Sequence, residues 1–406
     1  MAHPDTATQF GPLLRRHRTA VGLTQRTLAD LSTVSVRAIR DLERGRARPR
    51  QDTVRLLTSA LRLGRGASDD LELAAGGRAG RLRDEYGPHL AVPPPVLTPM
   101  FGREAELGAV VREIGAGRLA TLHGLPGVGR TRLAAAVAAD VHRTGMPVLW
   151  VTAPHADNPL AQPMRDPRLA DAVADVAAAL FGAAPVPTLA ELLGERDTLL
   201  VVDGVGGSTL NTGALLGMLG DCPGLRVLVT ADRPCGLPGE RPFLLAPLPV
   251  PTGAEPRVLA EEPAVRLFVH HARRRFEAAD ATDIAEVCAL TDGLPPALAA
   301  AASWLDVYDL RTLRDLLRAD PGVLVGADLM ARLGARVATL APADRAALAG
   351  LSGPARTLDE VATSTGRTIA AAGALVRDLL QRGLIGARHA AGQARFAVPA
   401  LVGALL

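Results

Sequence analysis

Residues 22–49, GLTQRTLADLSTVSVRAIRDLERGRARP, predict two short helices joined by a tight turn. Thr24 stands just before an apolar-periodic run and is a good N-cap for the first helix. The buried face of this helix is predicted to hold Leu28, Ala29 and Leu31. Ser35 follows the turn and is a good N-cap for a second helix over residues 36–43. This pattern is typical of a helix-turn-helix, an all-α unit whose second helix enters the DNA major groove.

The second helix has an inner and an outer face. Ile39 and Leu42 point inward at helical spacing, which leaves Val36, Arg37, Arg40 and Asp41 outside. Arg37 and Arg40 are predicted to read bases, because a guanidinium fork can bond guanine O6 and N7. The arginines that follow are predicted to contact phosphates: Arg44, Arg46, Arg48 and Arg50.

The charge distribution agrees with a DNA-binding N-terminal domain. Residues 1–64 hold 12 arginines against 5 acidic residues, whereas the whole chain has a net charge of +3. The positive charge is therefore concentrated where the helix-turn-helix would meet DNA. A small helical bundle with a solvated basic face is the alternative interpretation.

Residues 10–63 resemble the Cro and phage-repressor type of helix-turn-helix, the XRE family. The matching residues are Leu23-Thr24-Gln25, Leu28-Ala29, Ser35, Ile39, Leu42-Glu43, Gly45, Pro49 and Leu56-Leu57. The resemblance implies that Gln25 contacts the DNA backbone from its helix N-terminus, that Ser35 belongs to the interface, and that Val36, Arg37, Arg40 and Asp41 read bases. The family normally has glycine where Thr33 stands, so we expect a slightly different turn without loss of function.

Length and composition place limits on the remaining chain. With 406 residues the chain is expected to form several domains. No uncharged apolar run is long enough for a membrane span, and the N-terminus lacks the order of a signal peptide. Three scattered cysteines are too few for a disulfide framework or a zinc site. These features predict a cytoplasmic protein. The sequence contains no lysine, so its Lys+Arg count of 45 is arginine alone.

From Phe101 onward, short apolar runs alternate with helical segments. The candidate strands are Leu119–His123, Pro147–Thr152, Thr198–Val202 and Arg226–Thr230. Such alternation predicts a parallel sheet covered on both faces. Helices follow, and the chain ends in three helices and a hairpin, which is the pattern of a winged helix. The predicted domains are 1–64 helix-turn-helix, 65–100 Pro/Gly-rich linker, 101–252 α/β P-loop NTPase, 253–325 helical domain and 326–406 winged-helix-like domain.

Gly124 to Thr131 reads GLPGVGRT, the P-loop spacing with arginine in place of lysine. Glycines let backbone N–H groups wrap a phosphate, and the following helix N-terminus favours an anion. Thr131 is predicted to hold Mg²⁺, and Asp203, at the end of the buried strand LLVVD, is its predicted second ligand through water. A glycine turn in an ordinary Rossmann-like domain would explain neither Thr131 nor Asp203.

Residues 101–398 resemble the core of the STAND signalling ATPases, which include NB-ARC proteins. The matching residues and segments are Phe101-Gly102-Arg103-Glu104, Gly124–Thr131, Asp203, Leu228-Val229-Thr230, Gly239-Glu240, Pro247-Leu248, Ala264–Phe268 and Gly293-Leu294-Pro295. The resemblance implies that ADP or ATP binds with Mg²⁺, that the Gly-Leu-Pro segment approaches adenine, and that the winged helix closes over the nucleotide. The nucleotide-binding set is Gly124, Gly127, Val128, Gly129, Arg130, Thr131, Arg132, Asp203, Thr230, Arg233 and Pro295.

Three positions near the phosphates depart from that family. Arg130 replaces the lysine, and Gly204 follows Asp203 where a second polar residue is usual. Asp232 stands where the family has a γ-phosphate-sensing arginine, with Arg233 one place later. A carboxylate there would repel a γ-phosphate unless the loop shifts to present Arg233. We therefore expect weak or absent hydrolysis.

The sequence as a whole predicts a sequence-specific transcriptional regulator that binds a double-stranded operator as a homodimer or higher oligomer. Its core would be an ADP/ATP-dependent switch or an oligomerisation module, with a small-molecule or protein effector left open. The alternatives are an active STAND ATPase switch, a pseudo-NTPase scaffold that senses a small molecule or protein, and a defence-type ATPase in which DNA binding is secondary.

Overall fold

The computed structural model describes residues 7–47, 49, 51–61, 63, 67, 71, 74, 99–154, 167–182, 193, 197–206, 210–250, 260–390 and 392–406. Two of the predicted phosphate contacts, Arg48 and Arg50, lie outside these residues, as does most of the predicted linker. Within the described part of the chain, no helix combines the length and the apolar character that a membrane span requires.

The N-terminal domain is a bundle of short helices. These are α1 (Ala7–Ala20), α2 (Gln25–Ser32), α3 (Val36–Glu43) and α4 (Gln51–Ala60). Its core is built from Phe10, Leu14, Leu28, Ile39 and Leu57, each at most 2% exposed. The caps are as predicted, since the Thr24 hydroxyl accepts from the Thr27 N–H at 3.1 Å and the Ser35 hydroxyl accepts from the Ala38 N–H at 3.2 Å.

One predicted core residue of this bundle is wrong. Leu31 is 58% exposed, whereas Ser32 is buried beside Leu28 and Ala29. Residues 28, 29 and 32 share one helical face, and residue 31 is turned away from it. The Ser32 hydroxyl tolerates burial because it donates to the Leu28 carbonyl at 2.6 Å.

The central domain is a parallel sheet of five strands in the order β2-β3-β4-β1-β5. The strands are β1 (Leu119–His123), β2 (Val148–Thr152), β3 (Thr198–Val205), β4 (Leu225–Ala231) and β5 (Arg241–Leu244). The helices are α5 (Glu104–Ala116), α6 (Arg130–Arg143), α7 (Pro167–Phe181) and α8 (Thr212–Asp221). The four predicted strands are present, and β5 was not predicted because its residues, RPFL, are mostly exposed at the sheet edge.

Helices dominate the C-terminal part. They are α9 (Pro263–Ala272), α10 (Ala281–Leu290), α11 (Pro295–Ser303), α12 (Leu310–Ala319), α13 (Ala327–Ala338), α14 (Pro342–Gly350), α15 (Leu358–Thr365), α16 (Ile369–Gln381) and the short α17 (Ala400–Gly403). An antiparallel ribbon of β6 (Gly386–Ala390) and β7 (Gln393–Ala397) follows α16. Helix α9 ends at Ala272 because Arg273 adopts a left-handed conformation with φ 53°.

Candidate DNA interface and candidate phosphate site

The outer face of α3 presents the predicted base-reading side chains. Arg37 and Arg40 are exposed, and Val36 and Asp41, which flank them in sequence, are half-buried. Arg44 and Arg46 follow in the exposed turn after α3. The capping of α3 by Ser35 and the burial of Ile39 hold this face outward, so the two guanidinium groups can be offered together to a groove.

Behind that face, Glu43 of α3 forms hydrogen bonds with side chains of α1 and α2. Its carboxylate accepts from Arg18 Nε at 2.6 Å, from Arg18 Nη2 at 3.1 Å and from Gln25 Nε2 at 2.8 Å. Burial would raise the pKa of Glu43, but the hydrogen bonds from Arg18 and Gln25 outweigh it and hold this pKa below its usual range. The Gln25 amide is thus bound to Glu43, and its predicted contact with the DNA backbone stays a prediction.

The turn between α2 and α3 keeps the conformation that glycine would adopt. Thr33 has φ 57° and ψ 11°, which is left-handed, so our expectation of a different turn is wrong. This conformation is strained for a β-branched residue, because its side chain comes too close to the backbone.

Replacing Thr33 with glycine is expected to stabilise the bundle by about 0.5–1 kcal/mol, since relief of strain exceeds the entropy cost of glycine. Hydrogen exchange of the α2 and α3 amides in the full chain measures the change. Thr19→Gly, inside α1, is the matched control and should destabilise the bundle by about 0.5–1 kcal/mol. Slower exchange in neither variant, or in both, would contradict the strain at Thr33.

The glycine loop joins β1 to α6 as predicted. Gly124, Gly127 and Gly129 have φ values of 151°, 79° and 102°, which other residues rarely adopt. A Cβ on Gly124 would lie 2.5 Å from the Leu245 carbonyl oxygen, and one on Gly127 would lie 2.7 Å from Pro296 Cγ. The loop therefore needs its glycines both for their backbone conformations and for the close approach of neighbouring segments.

Thr131 and Asp203, the predicted Mg²⁺ ligands, lie together beside this loop. The Thr131 hydroxyl donates to Asp203 Oδ1 at 2.8 Å, and the Thr230 hydroxyl donates to the same oxygen at 2.6 Å. Asp203 is 1% exposed, and burial raises its pKa although both threonines donate to it. A cation beside this carboxylate would favour its charged form, so the pair fits a metal ion.

Arg130 points away from the loop toward the end of β4. Its Nη1 donates to Asp232 Oδ1 at 2.9 Å and also to the Ala231 carbonyl oxygen. Asp232 meets a second guanidinium, because Arg336 Nη1 of α13 lies 3.3 Å from Oδ2 and Arg336 Nη2 donates to the Asp232 carbonyl oxygen. The carboxylate expected to repel a γ-phosphate is therefore neutralised by two arginines.

Arg336 was not identified from the sequence. It lies on the apolar stripe of α13 with Leu329, Leu333 and Val337, and it is 8% exposed. Burial lowers its pKa to about 10, and nearby Arg130, Arg382 and Arg233 act in the same direction against Asp232. Its Nε is buried and has no hydrogen-bond partner in the part of the chain that the structure describes. An arginine within an otherwise apolar helical stripe is the sequence signal that would have revealed it.

The C-terminal helices also contact the glycine loop and the end of β1, which precedes it. His123 Nδ1 lies 3.1 Å from the carbonyl oxygen of Gln381, at the end of α16. A Cβ on Gly383 would lie 3.1 Å from Leu125 Cγ, which again indicates close packing on the loop. Arg233, a predicted nucleotide contact, is exposed, but it lies near enough to Arg336 to help lower the pKa of that guanidinium.

Pro295 and Arg132 lie at a narrow pocket beside the loop. The pocket has a volume of about 50 Å³ and is lined by residues that include Phe101, Val128, Gly129 and Leu267. Arg132 Nη2 donates to the Pro99 carbonyl oxygen at 2.6 Å, so its side chain crosses one side of the pocket. The segments expected to surround adenine meet here, but a purine ring would require the pocket to widen.

Comparison with known proteins identifies the N-terminal domain. Residues 14–65 match the family described as Helix-turn-helix, HTH_3. The chain is 28% identical over 227 residues to an uncharacterized Mycobacterium tuberculosis protein, Rv0894, with 52% of this chain and 51% of that protein covered. It is 31% identical over 196 residues to the M. tuberculosis protein named "Putative HTH-type transcriptional regulator Rv0890c", with 46% of this chain and 20% of that protein covered.

Both similarities are longer than the helix-turn-helix segment 14–65, so they include residues outside it. The chain spans about half the length of the uncharacterized mycobacterial relative, and a fifth of the length of the regulator. With its capped α2 and α3 and the exposed arginines of α3, the chain carries an N-terminal XRE-type helix-turn-helix domain, the domain of DNA-binding regulators.

Proposed function

We propose that the chain is a sequence-specific transcriptional regulator that reads an operator with α3. One observation carries this proposal: Arg37 and Arg40 are exposed on the same helix of a helix-turn-helix domain. That helix, α3, is capped at its N-terminus and its inner face is buried. The regulator name of a mycobacterial relative supports it. Because one short helix reads few bases, the operator would be bound by a homodimer or higher oligomer.

Genomic footprinting of the full chain tests this function. We expect discrete protected sites that share a short motif, and loss of protection when Arg37 and Arg40 are both replaced. Protection that is spread evenly along the DNA, or that does not depend on α3, would contradict the proposed operator recognition.

We further propose that the sheet domain binds ADP or ATP with Mg²⁺. The glycine loop with the N-terminus of α6 would hold the phosphates, Thr131 and Asp203 the metal, and the pocket at Pro295 the adenine. Arg130, Arg382 and Arg233 all help to lower the pKa of Arg336, while Asp232 pairs with Arg130 and Arg336, and Asp378 pairs with Arg382. This surplus of positive charge, with an Arg336 Nε that has no hydrogen-bond partner among the described residues, supports an anion at this place.

Closure by the C-terminal helices would make this site a switch. Arg336 and Gln381 reach the loop region from α13 and α16, so any ligand that displaces Asp232 from its arginines would alter that closure. Such a change would act on the spacing of the DNA-binding domains in an oligomer. Hydrolysis is not part of the proposal, because Gly204 offers no second carboxylate to position water.

Equilibrium dialysis of the full chain against ADP and ATP, with and without Mg²⁺, tests the nucleotide site. Arg130→Lys is expected to tighten binding about tenfold, because a lysine would no longer make the forked contacts that hold residue 130 at Asp232. Arg143→Lys, at the exposed end of the same helix, is the matched control and should leave binding unchanged. Absence of binding in both the native chain and Arg130→Lys would contradict the proposal.

A nucleotide-free scaffold that senses another molecule is the second candidate. Two contacts favour it: the ion pair between Arg130 and Asp232, and the Arg132 side chain that crosses the narrow pocket. In a scaffold these contacts would be permanent, so the dialysis would find neither nucleotide bound and Arg130→Lys would change only stability.

A further inference from the structure

A second and larger pocket lies between α9 and α10. Its volume is about 720 Å³, within the range of small-molecule sites. We call it the α9–α10 pocket, and it is lined by residues of both helices, by the segment that joins them and by Phe101. None of the described residues of the candidate DNA interface, the glycine loop or the metal pair lines it.

The inner part of this pocket is apolar. Val265 is 5% exposed and Ile284 is 3% exposed, and they belong to the core on which α9 and α10 pack. Val269 and Phe276 are half-buried beside them. These side chains could cover the hydrocarbon part of a ligand and gain by removing it from water.

The outer part of the pocket is positively charged. Arg266, Arg274 and Arg275 line it and are exposed. The Arg266 guanidinium lies over the Phe101 ring at 5.4 Å, which holds it at the mouth. Glu277 also lines the pocket, but its carboxylate already accepts the Asp280 N–H in a capping box. Within the described residues, Arg274 and Arg275 have no ion-pair partner, so their charge is available to a ligand.

We propose that the α9–α10 pocket binds a small amphipathic anion, with an apolar body inside and a carboxylate, sulfonate or phosphate at the arginines. The apolar interior excludes a fully polar ligand, and the three arginines at the mouth discriminate against a neutral one. The volume suits a medium-length acyl chain or a compact aromatic acid.

The pocket is physically connected to the proposed nucleotide site. Phe101 lines both pockets, and Leu267 of α9 lines the narrow one while Val265 and Arg266 line the larger one. A bound anion would therefore bias the position of Phe101 and α9 against the glycine loop. This consequence depends on the proposed nucleotide function, whereas anion binding itself does not.

Titration of the full chain with 1-anilinonaphthalene-8-sulfonate, in the absence of nucleotide, tests the site. We expect saturable binding of one equivalent, displaced by dodecanoate. Arg274→Ala/Arg275→Ala should weaken both ligands about tenfold, and a rise from about 0.1 M to 1 M salt should do the same, because the charges are exposed. Ala281→Trp, which places an indole in the pocket, should abolish binding.

Two matched controls separate the pocket from general effects of charge and size. Arg273→Asn removes the neighbouring arginine, which does not line the pocket, and asparagine tolerates its left-handed backbone. Ala289→Trp adds the same indole on the exposed side of α10. Both should bind like the native chain. Equal binding by all four variants, or no saturable binding by the native chain, would overturn the proposal.

Discussion

The double variant Arg37→Ala/Arg40→Ala is expected to lose about 2–6 kcal/mol of binding free energy at its operator and most of its base preference. Each guanidinium is exposed on α3 and can make a bidentate contact to guanine, worth about 1–3 kcal/mol of discrimination. Fluorescence anisotropy with an operator fragment found by footprinting measures the loss. The same titration with a scrambled duplex should change much less, since phosphate contacts supply non-specific affinity.

Two single variants make the test specific to α3. Arg16→Ala removes an exposed arginine from α1 and should leave the operator preference intact. Arg46→Ala should weaken operator and scrambled DNA alike and reduce the salt dependence, because a phosphate contact carries no sequence information. If the double variant weakens both duplexes equally, the two arginines contact phosphates and some other surface reads the bases.

The N-terminal domain was largely predictable because its signals are local. The caps Thr24 and Ser35 and the bounds of α3 follow from residues within a single helical turn, and all are present. Leu31 was placed wrongly because apolar spacing alone does not say where the inner face of a two-turn helix is centred. The Arg18–Glu43–Gln25 network was missed, since it joins residues of three helices that only the packed bundle brings together.

In the sheet domain, the positions of the strands were predictable, but the side-chain contacts between distant parts of the chain were not. Buried strands are continuous apolar runs, so β1 to β4 could be located, and parallel register brings Thr131 next to Asp203 as expected. The meeting of Arg130 and Arg336 at Asp232 could not be predicted, because Asp232 and Arg336 lie about 100 and 200 residues beyond Arg130 in the chain. Charges that are distant in sequence meet only when the C-terminal helices close on the sheet.

Asp232→Asn is expected to lower the stability of the closed arrangement by about 2–3 kcal/mol, because Arg336 would be left buried without a carboxylate. The effect is placed below that of a fully buried pair because the Asp232 side chain is 32% exposed. Thermal unfolding of the full chain by calorimetry measures it. Asp328→Asn is the matched control: it breaks an exposed ion pair with Arg332 on the same helix α13 and should cost at most about 0.5 kcal/mol.

The same variant separates the two candidate functions. If the loop binds phosphates, ADP would replace the missing carboxylate among the arginines, so it should raise the melting temperature of Asp232→Asn more than that of the native chain. If the chain is a scaffold without a nucleotide site, Asp232→Asn should be less stable than the native chain, and ADP should not raise its melting temperature. Unchanged stability in Asp232→Asn would mean that the contacts of Arg130 and Arg336 with Asp232 do not hold the C-terminal helices on the loop, and the proposed switch would lack its closing contact.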